Sequence, residues 1–327
     1  MNIIRWGIIG CGNVAENKSG AAFYRTSGSE LIAVMRRDVR KAEEFARRHN
    51  VKRWYGDVES LINDPEVNAI YIASPHHLHQ THVELATQKH KVILCEKPMG
   101  VSLAEARAIV NVCRHNGASL TVAYYRRFWA ITQKMIELLR GGAIGEVVQA
   151  RVQLADYFAG DPNRSWLTAR EKSGGGALAN AGSHWVDLIR FLFGDVNEAA
   201  AFCAASRFEV DDTVGAQLRM KSGALVSLNI TLQSPINFNE IDISGTEGRM
   251  MIHSLSDGHL TLHRRGKEPE EMRFTRDVAT HTELITELIA RWKKNEPSPI
   301  AGEEAAAAWK VMDAIYRACE EHQTITV

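Results

Sequence analysis

No apolar run in the 327 residues approaches the roughly 18 consecutive positions that a membrane-spanning helix needs. An excess of charge of one sign is missing too: 39 Lys and Arg balance 39 Asp and Glu, so no net field recruits nucleic acid or a membrane surface. Cysteine is scarce. The five present (Cys11, Cys95, Cys113, Cys203 and Cys319) are odd in number, scattered and never spaced C-x-x-C. That pattern argues against a disulfide framework or structural zinc and for a reducing compartment. No charged leader with a cleavage site precedes the first apolar strand pattern, so a cytoplasmic location is expected. Internal repeats and low-complexity linkers are absent as well. What remains is an ordinary globular composition, 45% hydrophobic and 24% charged, on a chain long enough for two domains.

The first 124 residues alternate short apolar runs with longer amphipathic stretches. The runs are Ile3–Ile9, Glu30–Met35, Asn68–Ala73, Lys91–Cys95 and Ser119–Tyr124, with a weaker one at Arg53–Tyr55. Between them, Val39–His49, Leu78–His90 and Leu103–Asn116 carry helical periodicity. This alternation predicts βαβ units and a doubly wound parallel sheet over residues 1–124. After Tyr124 the pattern changes. A helix is expected over Ala130–Arg140, ended by Gly141-Gly142. Strict alternation follows in Val148-Ala150-Val152-Leu154, Val214-Ala216-Leu218-Met220 and Val226-Leu228-Ile230-Leu232, with mostly polar residues between. Such strands are covered on one face and are mostly antiparallel. Helices over Gly176–Phe193 and Thr280–Lys294 are the expected cover, giving an α+β domain over residues 125–327. The Ala-rich helix Glu303–Glu321 is free to pack on either domain.

Gly10-Cys11-Gly12-Asn13-Val14-Ala15 reads G-x-G-x-x-A directly after the first strand and at the start of a helix. Glycine at the first position permits the tight turn, and at the second it lets a pyrophosphate approach the backbone. The small last residue lets helix and strand pack closely, with helix N–H groups aimed at the phosphates. An NAD enzyme grips its ribose with an acid about 20 residues on. Here the second strand ends at Met35 and continues with Arg36 and Arg37, with Asp38 only afterwards. A guanidinium pairs with a 2′-phosphate where an acid would repel it, so NADP is expected, with NAD still open. Arg37 could instead stack on the adenine.

With Cys95-Glu96-Lys97-Pro98 at the end of the fifth strand, a pattern is complete. The chain resembles the Gfo/Idh/MocA oxidoreductases, the family of glucose–fructose oxidoreductase and inositol dehydrogenase. The resemblance runs through GIIGCGNVA, SPHHLH, ILCEKPM, VAYYRRF, GAIGEV, SGGGALANAGSHWVDLIRFLFG and GTEGRM. It implies a Rossmann domain followed by an open mixed-sheet domain, with NAD or NADP held at their junction. It also implies a cis Lys97–Pro98 bond, a place for Lys97 and His184 beside the nicotinamide, and Ser74-Pro75 bordering the cofactor ribose. Glu96 and His79 are expected on the cofactor side as well. One departure stands out: Asn180 takes the place of the family's usual aspartate, ahead of His184 and Asp187. At i, i+4 and i+7 these three share one face of a helix.

Oxidising an alcohol releases a proton and reduction needs one. His184 is the expected general base or acid, and Lys97 the donor that steadies alkoxide character and shares the proton transfer. Asn180 can hydrogen-bond substrate or His184 but cannot balance an imidazolium, which shifts the proton role toward Lys97. Tyr125 and Trp166 are expected as platforms for a sugar-like ring, and Arg127 as a polar anchor. His76, His77, His79 and His82 lack the three converging ligands of a zinc site, so no metal is expected. The function expected is NADP(H)-dependent hydride transfer to or from a carbon–oxygen centre of a sugar, cyclic polyol or related carbonyl compound. A dinucleotide-assisted glycosidase and a non-enzymatic NADP sensor are the alternatives. The polar face of the second sheet predicts a homodimer or homotetramer.

Overall fold

The computed structural model describes residues 3–90, 92–158, 160 and 162–327, with the backbone alone at 162 and 163. Lys91, expected to open a strand, lies outside the described residues. The chain divides into two compact units, Met1–Tyr125 with Asp277–Ala307, and Arg126–Arg276 with Ala308–Val327.

The first unit is built on a parallel sheet of β1 (Ile4–Ile9), β2 (Ser29–Met35), β3 (Arg53–Tyr55), β4 (Ala69–Ile72), β5 (Val92–Cys95) and β6 (Ser119–Val122). Its order is β3-β2-β1-β4-β5-β6. β4 and β5 are buried along their whole length, as strands covered on both faces must be. Helices begin where side chains satisfy their first N–H groups: Asp38 accepts from Lys41 and Ser102 from Glu105. The order reverses between β1 and β4, and at that reversal the carboxyl ends of parallel strands open a crevice.

The returning segment corrects one expectation. Helix Thr282–Lys293, read as cover for the second sheet, belongs to the first unit and packs on helix Gly20–Arg25. It buries Leu284, Ile285, Leu288 and Ile289. An apolar stripe shows that a helix is covered but not by what. Beyond it, the carbonyl of Ile300 accepts from Val122, lining the β6 edge.

The second unit carries β7 (Val147–Tyr157), β8 (Val196–Ala204), β9 (Thr213–Met220), β10 (Leu225–Thr231), β11 (Gln233–Gly245), β12 (Gly248–Ser254), β13 (His259–Arg264), β14 (Glu270–Arg273) and β15 (Ile325–Thr326). They form one sheet in the order β14-β13-β12-β11-β7-β10-β9-β8-β15. β7 and β10 run parallel, and the other pairs are antiparallel. The expected inward residues of β9 and, on β10, Val226, Leu228 and Ile230 are buried; Leu232 lies just past the end of β10 and is half-buried. On β7, Ala150 and Val152 are buried while Val148 is 53% exposed.

Cysteine supplies a second correction. Cys203 on β8 and Cys319 on helix Gly302–Glu321 form a disulfide across 116 residues of sequence. Spacing alone cannot reveal a pair so far apart; Cys11, Cys95 and Cys113 stay free and buried. Among the described residues, no helix is long and apolar enough to cross a membrane.

Candidate active site

In the first unit the glycine turn, Arg36, Ser74 and Lys97 all stand at the carboxyl ends of neighbouring strands. Gly10 has φ +94°, a left-handed conformation that favours glycine, and its N–H donates to the carbonyl of Met35. A Cβ there would press into the backbone of Ala73 and Ser74 at 2.8 Å. Gly12 faces open space instead: the nearest atom to a Cβ would be the Gly10 oxygen at 3.9 Å. One glycine therefore lets β1 and β4 meet, and the other leaves a cradle that fits a pyrophosphate. Helix begins at Asn13 and Val14, and Asn13 Oδ1 accepts from Asn17.

The Arg36 charge acts on this turn. Burial pushes the Cys11 thiol up to about 11, against the opposing pull of Arg36. The Arg36 N–H donates to Tyr55, and Arg37 is exposed. Asp38, the one acid close to this strand end, accepts from the Lys41 N–H and pairs with its ammonium at 3.7 Å. Its carboxylate is engaged at a helix start.

Glu96, expected among the cofactor contacts, is buried in a network of the protein's own groups. One carboxylate oxygen accepts from Tyr71 at 2.6 Å and from His281 at 2.8 Å. The other accepts from the Lys97 N–H at 3.2 Å. Burial alone would raise the Glu96 pKa. The His281 hydrogen bond, the His281 and Lys97 charges and the Tyr71 hydroxyl outweigh it and hold the group at about 2. The carboxylate thus fixes the start of the Lys97-Pro98 segment, whose peptide bond is cis, and Lys97 itself is half-buried. Sequence reasoning missed both partners. Tyr71 was the available signal, a lone hydroxyl in an apolar strand, whereas His281 arrives from 185 residues away.

His79 is also inside. Its ring nitrogens lie 2.9 Å from the Ser74 carbonyl and 3.1 Å from the Pro98 carbonyl, so it ties together the two segments that carry Ser74-Pro75 and Lys97. Burial lowers its pKa. Ser74 Oγ meets His82 Nδ1 at 2.9 Å, and burial lowers His82 to about 4, helped by His79, His77 and Arg37. No metal-holding group of His, Cys, Asp or Glu occurs among the described residues. Tyr125 is 7% exposed, with its ring 4.4 Å from that of His281.

In the second unit, Asn180, His184 and Asp187 lie on consecutive helical segments. Ala177–Gly182 is a π-helix and Ser183–Phe193 an α-helix, so the uniform 3.6-residue period assumed from sequence breaks at Asn180. Such wide turns recur at functional sites. Asn180 is half-buried and His184 4% exposed. Asp187 holds Arg127 through two hydrogen bonds of 2.9 and 2.6 Å. The guanidinium expected to anchor substrate is thus engaged by a carboxylate on the His184 helix. Trp166 is half-buried in the 3-10 stretch Pro162–Thr168.

Two family models match this chain. The oxidoreductase family with an NAD-binding Rossmann fold covers residues 4–124, and the GFO/IDH/MocA C-terminal domain covers residues 132–251. The chain belongs to the Gfo/Idh/MocA oxidoreductases. Oxidoreductase P35 of Formosa agariphila is 33% identical over 95% of this chain and 97% of its own. Trans-1,2-dihydrobenzene-1,2-diol dehydrogenase of Mus musculus is 33% identical over 77% and 75%. Levoglucosan dehydrogenase in complex with NADH and levoglucosan shares the fold, with a TM-score of 0.92 and 21% identity over 99% of both chains. This Gfo/Idh/MocA protein is an NAD(P)-dependent dehydrogenase acting on CH–OH groups.

Proposed function

We propose that the chain moves a hydride between NADP(H) and a carbon–oxygen centre of a sugar, cyclic polyol or related carbonyl compound. The end of β2 carries the cofactor choice: Arg36 and Arg37 stand there, and Asp38 is engaged in capping a helix. The nicotinamide, when bound, accepts or supplies the hydride. The chain's own residues do the rest. Gly10, Gly12, Asn13 and Val14 would hold the pyrophosphate, Arg36 and Arg37 would pair with the 2′-phosphate, and Ser74-Pro75 would border the ribose. Lys97 donates to the reacting oxygen and His184 takes or returns its proton. Asn180 orients substrate hydroxyls, with Tyr125 and Trp166 beside the ring. Glu96 and His79 hold the segments that present Lys97 and Ser74.

The substrate class draws on the relatives, whose names specify a dihydrobenzenediol and levoglucosan. The exposed side of the second sheet shows Phe202 at 83% and Leu225 at 48% exposure, which supports a homodimer or homotetramer through that face. Molar mass by light scattering, against 36.4 kDa for one chain, decides it. The cytoplasmic placement loses one support, because it rested partly on unpaired cysteines and Cys203 is bonded to Cys319.

Cofactor choice is the direct test. kcat/KM for NADP⁺ should exceed that for NAD⁺ by at least about tenfold, or about 1.4 kcal/mol, and Arg36→Asp should reverse the order. Equal values in the wild type would refute the NADP assignment.

A further inference from the structure

The helix that carries Asn180 and His184 opens with four backbone N–H groups that have no acceptor inside it: those of Gly176, Ala177, Leu178 and Ala179. All four go to just two residues. Asp211 accepts from Gly176 and Leu178 with its two carboxylate oxygens, at 2.7 and 2.8 Å, and from Ala177 with its carbonyl at 2.7 Å. The Tyr316 hydroxyl accepts from Ala179 at 3.3 Å and donates to Asp211 Oδ1 at 2.9 Å. Only at Asn180 does the helix begin to bond to itself, through the Gly176 carbonyl. Asp211 is 4% exposed, and its negative charge lies at the positive end of the helix.

Gly175 and Gly176 have their physical reason here. A Cβ on Gly175 would overlap the Tyr316 hydroxyl, and one on Gly176 would overlap the Asp211 carbonyl. These two glycines admit the carboxylate and the phenol to the helix start. Both partners are tied in turn. Asp212 N–H donates to Ala204 at the end of β8, and Cys319, one turn beyond Tyr316, is bonded to Cys203 on that strand.

We propose that Asp211 and Tyr316 are positioning residues for hydride transfer: together they fix the start of the π-helical turn and so the placement of Asn180 and His184. The proposal rests on the assignment of His184 as the proton-transfer group. Both act in this reading through the helix start they hold, not through the reacting atoms. Loosening the turn should displace the reacting groups while leaving the glycine cradle of the first unit intact. A displacement on the order of 1 Å costs about 100-fold in rate.

The test uses full-length wild type, Tyr316→Phe, Asp211→Asn and His184→Ala. Hydrogen exchange of the amides of residues 177–180 is measured together with the Kd of NADPH. Steady-state kinetics use whichever of levoglucosan, D-glucose and trans-1,2-dihydrobenzene-1,2-diol the wild type oxidises fastest. The expected result is exchange about tenfold faster at those amides in Tyr316→Phe, kcat lower by about 10- to 100-fold, and NADPH Kd within about threefold of wild type. Asp211→Asn should act in the same direction and more strongly. If it fails to fold, the near-isosteric Tyr316→Phe decides alone. Unchanged exchange in folded Tyr316→Phe overturns the clamp. Faster exchange with unchanged kcat overturns the positioning role and leaves only a structural one. Wild-type kcat in His184→Ala would instead sink the assignment of His184, while the exchange result would still report on the clamp.

Discussion

Replacing Lys97 by alanine is expected to lower kcat/KM by roughly two to four orders of magnitude, and replacing His184 by alanine to do the same. For Lys97 the argument starts one residue earlier. Glu96 is anchored by Tyr71 and His281 and receives the Lys97 N–H, and these hydrogen bonds do not use the ammonium. Truncating the side chain therefore removes a donor and leaves the segment in place. Lys97→Arg keeps the charge but alters the donor geometry, and should recover only part of the loss. NADPH affinity should stay within a few-fold in Lys97→Ala, since the cradle is built from Gly10 and Gly12. A Lys97→Ala variant with wild-type kcat/KM would remove the residue from the mechanism. A parallel loss of NADPH binding would make it a cofactor ligand instead.

The second large effect is on stability. Arg127 and Asp187 are 7% and 1% exposed and joined by two hydrogen bonds, with the guanidinium 5.0 Å from the Phe191 ring centroid. Arg127→Ala removes the counter-charge that makes two hydrogen bonds to this buried carboxylate, which costs about 3–5 kcal/mol. That is a large share of the roughly 5–15 kcal/mol that stabilises a typical domain. The double variant Arg127→Met with Asp187→Leu removes both charges and fills the space, so it should be much less destabilised than either single variant. Urea unfolding of the four proteins at neutral pH gives the coupling. Single variants within 1 kcal/mol of wild type would show that the pair contributes little. Because Asp187 is three residues from His184 on the same helix, Arg127→Ala should also depress kcat, even under conditions where the variant is folded.

Local signals in the sequence were the readable ones. The glycine turn, the mostly apolar strands before it and after it, and the alternation of β9 and β10 each occupy a few adjacent residues, and each has one physical meaning. The partners of those elements were not readable. The alternation on β7 and β10 shows a face toward the core but not that the two strands run parallel. The apolar stripe of helix Thr282–Lys293 predicted burial correctly and the wrong surface. Glu96 stands in a recognisable motif, yet His281, which holds it, is 185 residues away. Asp211 and Tyr316 serve a helix start at separations of 35 and 137 residues, and no local pattern marks either. Cys203 and Cys319 are of the same kind: nothing short of the fold brings them together. Long-range pairing of this sort costs loop entropy and leaves no periodicity behind.

The central claim, hydride transfer between NADP(H) and a hydroxyl-bearing carbon, has one direct measurement. Purified wild type is mixed with NADP⁺ and a panel of sugars, cyclic polyols and vicinal diols, and absorbance is followed at 340 nm. Absorbance should rise with at least one cyclic hydroxyl compound, faster with NADP⁺ than with NAD⁺, and by at least about a hundredfold less in His184→Ala. No rise with either cofactor across the panel, in protein shown to bind NADPH, would contradict the account.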